Sequence, residues 1–504
     1  MRRIIISLAL VLFIVSCRSN SQPSKEGKKE KEEKEEIVQK EKIPAAELNA
    51  YRATLTAFFD TMLLNRNFNG GILIAKGGNI LYESYIGYSD LQKRTDTITP
   101  HTVFHLASTS KPFTGVAVMK LVEQGMIGLD DDIIKYFSGF PYSGVTVRHL
   151  LTHRSGMPNY LYFMDDKQKW NQSAMPSNKD VLDFLVRYQP AKTANPGMRF
   201  QYCNTNYVLL ALIVEKVTGK SFPQYMKETI FEPLGMKNTF VYTPADSMHV
   251  PMSYKPSGAL WANDKYENTY GDKNIYSTPR DLFKWDSALY REDFVSKVLL
   301  DSSFVPRSHE KPSIHNYGYG WRMLNLKNGK NVIYHFGKWH GFTPAFARLI
   351  DEKAVIIILG NRYSQSMYEA AKHSYDIFGP YMSSDSTVDQ DDVQPTGPVN
   401  ESQLKTKVEK KAVQQTKKVA ETKKPATAKP VAKTTTKKTA ASLTNSTTKN
   451  RKAAVATNTV KTQTKKTTTT AAKSTQQKST VKPKATSTKP ASKATTTKKK
   501  TTKK

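Results

Sequence analysis

Cysteine is scarce in this sequence, whose 504 residues include two, Cys17 and Cys203. A disulfide framework of the kind that stabilises small secreted domains is therefore excluded, and we expect no disulfide. Two local signatures of hydrolytic enzymes are also missing, because the chain contains neither a Gly-x-Ser-x-Gly turn nor a His-Glu-x-x-His motif. Their absence argues against the nucleophile turn of the α/β-hydrolases and against one common kind of zinc protease.

Candidate metal ligands are sparse as well. His101 and His105 are four residues apart, but no acidic or cysteine partner stands beside them. We therefore expect no metal site, and the chemistry described below needs no cofactor. His153, which ends the Leu-Leu-Thr-His stretch at residues 150–153, is interpreted as a structural residue.

The N-terminal apolar run, residues 4–15, is too short to span a bilayer. Arg2 and Arg3 precede it, which is typical of a signal peptide, predicted here over residues 1–16. The run ends in Ile-Val-Ser-Cys, which resembles a bacterial lipobox, so Cys17 is the predicted site of lipid attachment. The mature protein is then expected in the bacterial cell envelope, outside the cytoplasm and anchored to a membrane. A chance cysteine near an ordinary cleavage site is the alternative.

Acidic and aromatic residues almost disappear from the C-terminal part. Residues 401–504 contain 29 Lys or Arg, three acidic residues and no aromatic residue, a balance of +26. Since the whole chain carries +32, residues 1–400 carry about +6. We predict a disordered basic tail over residues 383–504 that attracts surface polyanions by counterion release. Nucleic acid is not expected as the partner of an exported protein.

A charged segment, residues 17–45, is poor in apolar residues and is predicted to be a spacer. Residues 46–382 remain for one large folded domain. This part begins with a helical pattern and a hairpin signal around Gly77-Gly78, continues with a mainly helical middle over about 108–320, and ends with three apolar strand segments and a helix. Strands at both ends predict one antiparallel sheet completed by the two ends of the domain, with a helical lobe inserted between them.

Ser108 is the candidate nucleophile. It begins a Ser-x-x-Lys pattern that ends at Lys111 and leads into an apolar helical segment. Residues three apart share a helix face, so the Lys111 amine is expected beside the Ser108 hydroxyl, where it can take the hydroxyl proton. The pattern recurs at four other serines, three in the basic tail and Ser308 in a polar loop, and the apolar helix selects Ser108.

Two further elements follow along the chain. Tyr202-Cys203-Asn204 places a phenol, which can relay protons, and an amide, which can hold a substrate carbonyl, on a short loop. A helix-capping asparagine beside a half-buried tyrosine is the alternative interpretation. His335-Phe336-Gly337 then ends an apolar strand, whose edge can pair with an extended substrate that the glycine lets approach closely.

In this order, the three elements resemble the serine beta-lactamase and penicillin-binding-protein superfamily, most closely its class C beta-lactamase-like branch, which includes esterases and D-aminopeptidases. Accessory segments match as well, at residues 102–104, 150–158, 196–197, 232–236, 275–278, 317–321 and 341–342. The resemblance covers nearly all of residues 50–380. It implies a beta-lactamase-like α/β (α+β) fold, with an antiparallel sheet flanked by helices and an inserted, mainly helical lobe.

The resemblance also implies a reaction, in which Ser108 forms an acyl-enzyme while Lys111 and Tyr202 share the removal and relay of its proton. The backbone N–H groups of Ser108 and Lys338 would hold the oxyanion. Asn204 and His335 would orient the substrate, which Gly337 would allow to approach closely.

Two positions depart from the superfamily pattern. His335 stands where beta-lactamases usually carry lysine, a substitution common among the family's esterases and peptidases, so an ester or D-amino-acid peptide is expected to be a better substrate than a beta-lactam. Cys203 stands where serine or alanine is usual. Two other functions stay open: a catalytically silent binding protein of the penicillin-binding kind, and a surface protein that acts by binding polyanions through its basic tail.

Overall fold

The computed structural model describes residues 39–383. The predicted signal peptide, Cys17 and most of the predicted spacer lie outside the described residues, as does the predicted basic tail apart from its first residue. In the described range, no helix is both long and apolar enough to cross a membrane.

The strands of the described residues form two antiparallel sheets. The larger sheet has seven strands in the order β2-β1-β10-β9-β8-β7-β6, and the smaller has three in the order β3-β5-β4. The strands are β1 (Gly70–Lys76), β2 (Asn79–Ile86), β3 (Phe104–His105), β4 (Phe240–Val241), β5 (Ile275–Ser277), β6 (His315–Tyr317), β7 (Arg322–Asn325), β8 (Asn331–Phe336), β9 (Ala345–Leu349) and β10 (Ala354–Gly360).

In chain order, most of the α-helices of residues 39–383 lie between β2 and β6; the first helix precedes β1 and the last follows β10. They are α1 (Ala45–Met62), α2 (Lys111–Glu123), α3 (Val147–Leu151), α4 (Tyr160–Phe163), α5 (Asn178–Tyr188), α6 (Thr205–Thr218), α7 (Phe222–Met226), α8 (Pro279–Ala288), α9 (Lys297–Ser303) and α10 (Ser366–His373).

The two ends of the domain complete the large sheet together. β1 pairs with β2 through a turn in which Gly77 and Gly78 both have positive φ, 51° and 73°, a conformation that glycine adopts without strain. On its other edge β1 pairs with β10, from Gly70 opposite Gly360 to Lys76 opposite Ala354. The predicted hairpin, the mixed fold and the sheet closed by both ends are therefore confirmed.

The large sheet is covered on both faces. On one face, α1 and α10 bury apolar residues that include Leu55, Phe59 and Met367. On the other, the inserted helices form a larger core with residues such as Phe113 of α2 and Leu209 of α6. Double coverage explains why every residue of β10 is buried, a pattern in which no polar face alternates with the apolar one.

The three-stranded sheet is not predicted by the pattern of the sequence. Its members are two or three residues long, too short to show an alternating pattern. β3 pairs with β5 through Phe104 opposite Ser277, and a backbone hydrogen bond of 2.8 Å runs from Leu106 to Ile275. This small sheet leads the chain directly into the turn that carries Ser108.

Candidate active site

Ser108 lies in a 3-10 turn, Ala107–Ser110, that joins β3 to α2. Ala107 has φ 46°, an uncommon value for a residue with a side chain, and its N–H donates to Nδ1 of His105 at 2.8 Å. Ser108 is almost fully buried. The tight turn thus holds the serine at the N-terminal end of a buried helix, where the backbone N–H groups favour negative charge.

Lys111 is fully buried and its ammonium meets three acceptors. Nζ donates to Ser108 Oγ at 3.1 Å, to Asn204 Oδ1 at 2.9 Å and to the backbone carbonyl of Asp272 at 2.8 Å. As an ammonium, Lys111 can donate all three of these bonds; as a neutral amine it can donate two of them and accept the Ser108 proton. The helical spacing of Ser108 and Lys111 therefore produces the side-by-side placement that it predicts.

Tyr202 approaches the same serine oxygen from a different element, the segment that precedes α6. Its hydroxyl donates to Ser108 Oγ at 2.9 Å, and Lys111 Nζ lies 4.9 Å from the centre of its ring. The serine oxygen is therefore in hydrogen-bond contact with two proton-carrying groups. Asn204, the residue before α6, completes the cluster through Lys111.

Cys203, between the two, takes no part in that cluster. Its side chain is buried, and Sγ lies 3.4 Å from the carbonyl of Met157 and 3.5 Å from that of Pro158. Burial raises the pKa of the Cys203 thiol to about 11, so the thiol stays protonated at neutral pH. Its role in the described structure is packing.

His335, at the end of β8, is fully buried. Its Nδ1 lies 2.8 Å from the carbonyl of Phe336, its Nε2 lies 3.3 Å from the Tyr317 hydroxyl, and its carbonyl accepts from the Thr109 hydroxyl at 3.1 Å. The hydrogen bond from Thr109 connects the end of β8 to the serine turn. The ring centre lies 6.4 Å from that of Tyr202, so His335 belongs to the wall of the site.

Gly337 follows β8 at the point where the strand passes the serine turn. A Cβ atom built at this position would lie 2.9 Å from the backbone nitrogen of Ser108 and 2.7 Å from the carbonyl oxygen of Leu106. Lys338 is the next residue, and its Nζ lies 4.7 Å from the Tyr363 ring centre, in surroundings that lower the pKa of Lys338 by burial. The backbone at Gly337, one residue before the proposed oxyanion donor Lys338, thus comes close to Ser108.

The two histidines considered as metal ligands do not form a pair. His101 is exposed, whereas His105 is buried with Nε2 2.6 Å from Asn274 Oδ1. Burial lowers the pKa of His105 to about 4, so it is neutral at pH 7 and its Nδ1 can accept from Ala107. His105 therefore supports the serine turn.

Within residues 39–383, one group of side chains has the spacing of a metal site, Asp264, Glu267 and His340, whose ligand atoms lie within 4.8 Å of one another. Glu267 Oε1 already accepts from His340 Nε2 and from Trp339 Nε1, both at 3.0 Å. Sequence reasoning missed this group because His340 is far along the chain from Asp264 and Glu267. It also missed the Asp272 carbonyl, since a backbone atom leaves no signal in residue type.

An antiparallel sheet completed by both ends of the domain, with a Ser-x-x-Lys turn set against the end of one of its strands, is the arrangement of the serine beta-lactamase and penicillin-binding-protein superfamily. Comparison with known proteins gives the same result. The chain matches the Beta-lactamase family over residues 55–377. It is 35% identical over 353 residues to Penicillin-binding protein 4* of Bacillus subtilis (strain 168), covering 66% of this chain and 77% of that protein.

Solved structures agree with this assignment. The octameric penicillin-binding protein homologue from Pyrococcus abyssi is similar with a TM-score of 0.57 and 29% identity, covering 65% of this chain and 77% of that one. The D-amino acid amidase from Ochrobactrum anthropi SV3, complexed with L-phenylalanine amide, shares the fold with a TM-score of 0.53 and 24% identity, covering 66% of this chain and 97% of that one. The chain belongs to the Beta-lactamase family, and this membership supports a serine hydrolase in the broad sense.

Proposed function

We propose that the protein hydrolyses an amide or ester through an acyl-enzyme formed on Ser108. The observation that carries the proposal is the pair of contacts on Ser108 Oγ, with Lys111 Nζ at 3.1 Å and the Tyr202 hydroxyl at 2.9 Å. A serine hydroxyl becomes a strong nucleophile when a neighbouring group removes its proton, and two such groups are within reach.

The reaction has two halves. In the first, the Lys111–Tyr202 pair reacts with one proton fewer than an ammonium and a phenol hold together, as a neutral amine beside a phenol. It takes the Ser108 proton while Oγ bonds to the substrate carbonyl carbon, and the N–H groups of Ser108 and Lys338 stabilise the oxyanion. The carbon–leaving-group bond then breaks, and the leaving group takes the proton. In the second half, water gives a proton to the same pair, attacks the acyl carbon, and releases the acid as the proton returns to Ser108.

For the substrate, we propose a D-amino-acid peptide or a small ester in preference to a beta-lactam. This preference rests on His335, which replaces the lysine that beta-lactamases usually carry. The Bacillus subtilis relative is named a penicillin-binding protein, so we also expect penicillin to react with Ser108, with slow release. The D-peptide choice fits a peptidoglycan-type substrate, and hence the cell-envelope location proposed from the predicted lipid anchor at Cys17.

A hydrolysis screen on the purified protein tests the proposal, with a short-chain ester, a D-alanyl peptide and a chromogenic beta-lactam as substrates. We expect turnover of the ester or the peptide to exceed that of the beta-lactam. Ser108→Ala should abolish all turnover. Ser308→Ala is the matched control, because Ser308 begins the same Ser-x-x-Lys pattern but its hydroxyl contacts Glu310 at 3.2 Å in an exposed loop.

The screen also separates the alternatives. A beta-lactam turned over tenfold faster than the ester would reverse the substrate preference. Covalent labelling without turnover of any substrate would indicate the silent binding protein. Turnover that survives Ser108→Ala would remove Ser108 from the mechanism.

A further inference from the structure

His153 lies just after α3, in a backbone conformation that few side chains adopt. Its φ is 53°, in the left-handed region, where histidine, asparagine and glycine are tolerated better than most residues. The residue is fully buried. Nothing in the proposed reaction uses it, although it packs beside residues that do.

The backbone on both sides of Tyr202 is bound to this one histidine. The N–H of Gln201 donates to the His153 carbonyl at 2.8 Å, and the N–H of Cys203 donates to His153 Nδ1 at 3.1 Å. A second donor, Asn206 Nδ2, lies 3.3 Å from the same Nδ1. In this left-handed conformation, the carbonyl and the ring nitrogen Nδ1 of His153 both face the loop of residues 201–203.

The ring of His153 also packs on the ring of Tyr202. Their centres are 4.3 Å apart with an angle of 39° between the planes. The Tyr317 ring also packs against His153, with 4.8 Å between the ring centres. With the backbone bound at residues 201 and 203 and the ring packed against His153, the Tyr202 hydroxyl is directed to Ser108.

His153 fills this role in its neutral form. Because Nδ1 accepts two hydrogen bonds, the ring proton resides on Nε2, which has no hydrogen-bond partner among the described residues. Burial, followed by the positive charge of Lys111, holds the pKa of His153 well below its usual value. The polar atom through which the side chain binds the loop is therefore Nδ1, acting as a hydrogen-bond acceptor.

We propose that His153 is a positioning residue for Tyr202, whose phenol it directs at Ser108 by binding the backbone on both sides and packing against the ring. This inference deepens the proposed function and rests on it for its kinetic consequence. The structural part, that His153 holds the 201–203 loop, has a readout of its own.

Two variants that suit the left-handed backbone provide the test in the full-length protein. His153→Gly removes Nδ1, whereas His153→Asn keeps an acceptor oxygen at about the same place. Stopped-flow acylation by a fluorescent penicillin should be slowed about 100-fold in His153→Gly, the loss expected for a misplaced proton relay, with the dissociation constant of the initial complex changed less than about threefold. His153→Asn should recover most of the rate. Equal rates in the two variants would overturn the proposal.

A double-mutant cycle separates positioning from general destabilisation. If His153 acts through the Tyr202 phenol, His153→Gly should cost less than about twofold when added to Tyr202→Phe, because the group being positioned is already gone. The same 100-fold loss in both backgrounds would instead make His153 a structural residue only.

Hydrogen–deuterium exchange of the peptide over residues 200–206 completes the test without requiring activity. The amide of residue 203, which loses its acceptor Nδ1, should exchange at least about tenfold faster in His153→Gly than in the unmodified protein, and His153→Asn should restore its protection. The amide of residue 201 should change less, because the backbone carbonyl of residue 153 remains in both variants. If no adduct forms on Ser108 in the unmodified protein, the proposed function fails, yet faster exchange would still support positioning. Unchanged exchange would overturn it.

Discussion

Gly337 lies so close to Ser108 that a Cβ atom on the glycine would be 2.9 Å from the serine backbone nitrogen. The same atom would be 2.7 Å from the carbonyl oxygen of Leu106, and neither backbone atom can move without shifting the serine turn. The absence of a side chain at residue 337 is therefore a requirement for bringing the end of β8 against the nucleophile.

We predict that Gly337→Ala lowers the acylation rate at least about 100-fold, because it separates the two N–H groups proposed to hold the oxyanion. Acylation by a reporter penicillin measures the effect. Gly71→Ala is the control: it crowds β1, where the added Cβ would meet side chains of Pro279 and Tyr85 at 3.0 Å. Gly71→Ala should change the melting temperature more than the acylation rate, and a similar rate loss in both variants would contradict the prediction.

Lys111 and Tyr202 should each be needed for turnover. Lys111→Ala and Tyr202→Phe are both expected to reduce kcat by about 100-fold or more, the scale of a lost acid–base group. Tyr162→Phe is the control, because Tyr162 is a half-exposed tyrosine on α4. A near-normal kcat in either of the first two variants would remove that residue from the mechanism.

The local part of this site could be predicted from sequence. The contact between Ser108 and Lys111 follows from helical spacing, and the hairpin at Gly77 follows from turn chemistry. Membership of the superfamily followed from the order of three short motifs. In contrast, the Asp272 carbonyl that binds Lys111 and the histidine that binds both sides of Tyr202 are brought in by tertiary packing, which residue spacing does not encode.

Residue type alone was also a poor guide to His105 and His153. The sequence offers His105 only as a candidate metal ligand and predicts a structural role for His153. What each one binds depends on which nitrogen accepts a hydrogen bond, and that requires coordinates: Nδ1 of His105 meets Ala107, and Nδ1 of His153 meets Cys203. The short strands β3, β4 and β5 could not be predicted for a related reason, because the strands that pair are distant in sequence.

His105 should make the stability of the domain depend on pH. It stays neutral when folded because burial lowers its pKa from 6.5 to about 4, whereas the unfolded chain takes up a proton as the pH falls below 6.5. The unfolded state then binds more protons than the folded state. The free energy of unfolding therefore decreases as the pH decreases, by about 2 kcal/mol from about pH 7.5 to pH 5. Urea unfolding should show a smaller fall in His105→Gln than in the control His101→Gln, and identical falls would contradict the assignment.

The basic tail is proposed to bind an anionic cell-surface polymer. Deleting residues 401–504, which carry a balance of +26, should leave hydrolysis of a small neutral ester unchanged but abolish retention on the polymer. Full-length binding should weaken on the order of a thousandfold between about 50 and 200 mM salt, as counterion release requires. Equal retention of both proteins at both salt concentrations would show that the tail does not bind the polymer.

The central claim is that a covalent acyl group forms on Ser108, and mass spectrometry of the intact and digested protein tests it most directly. After brief reaction with a penicillin or a fluorophosphonate, the account predicts one adduct per chain, located on the peptide that contains Ser108, present in Ser308→Ala and absent from Ser108→Ala. An adduct on another residue, or one that persists in Ser108→Ala, would contradict it.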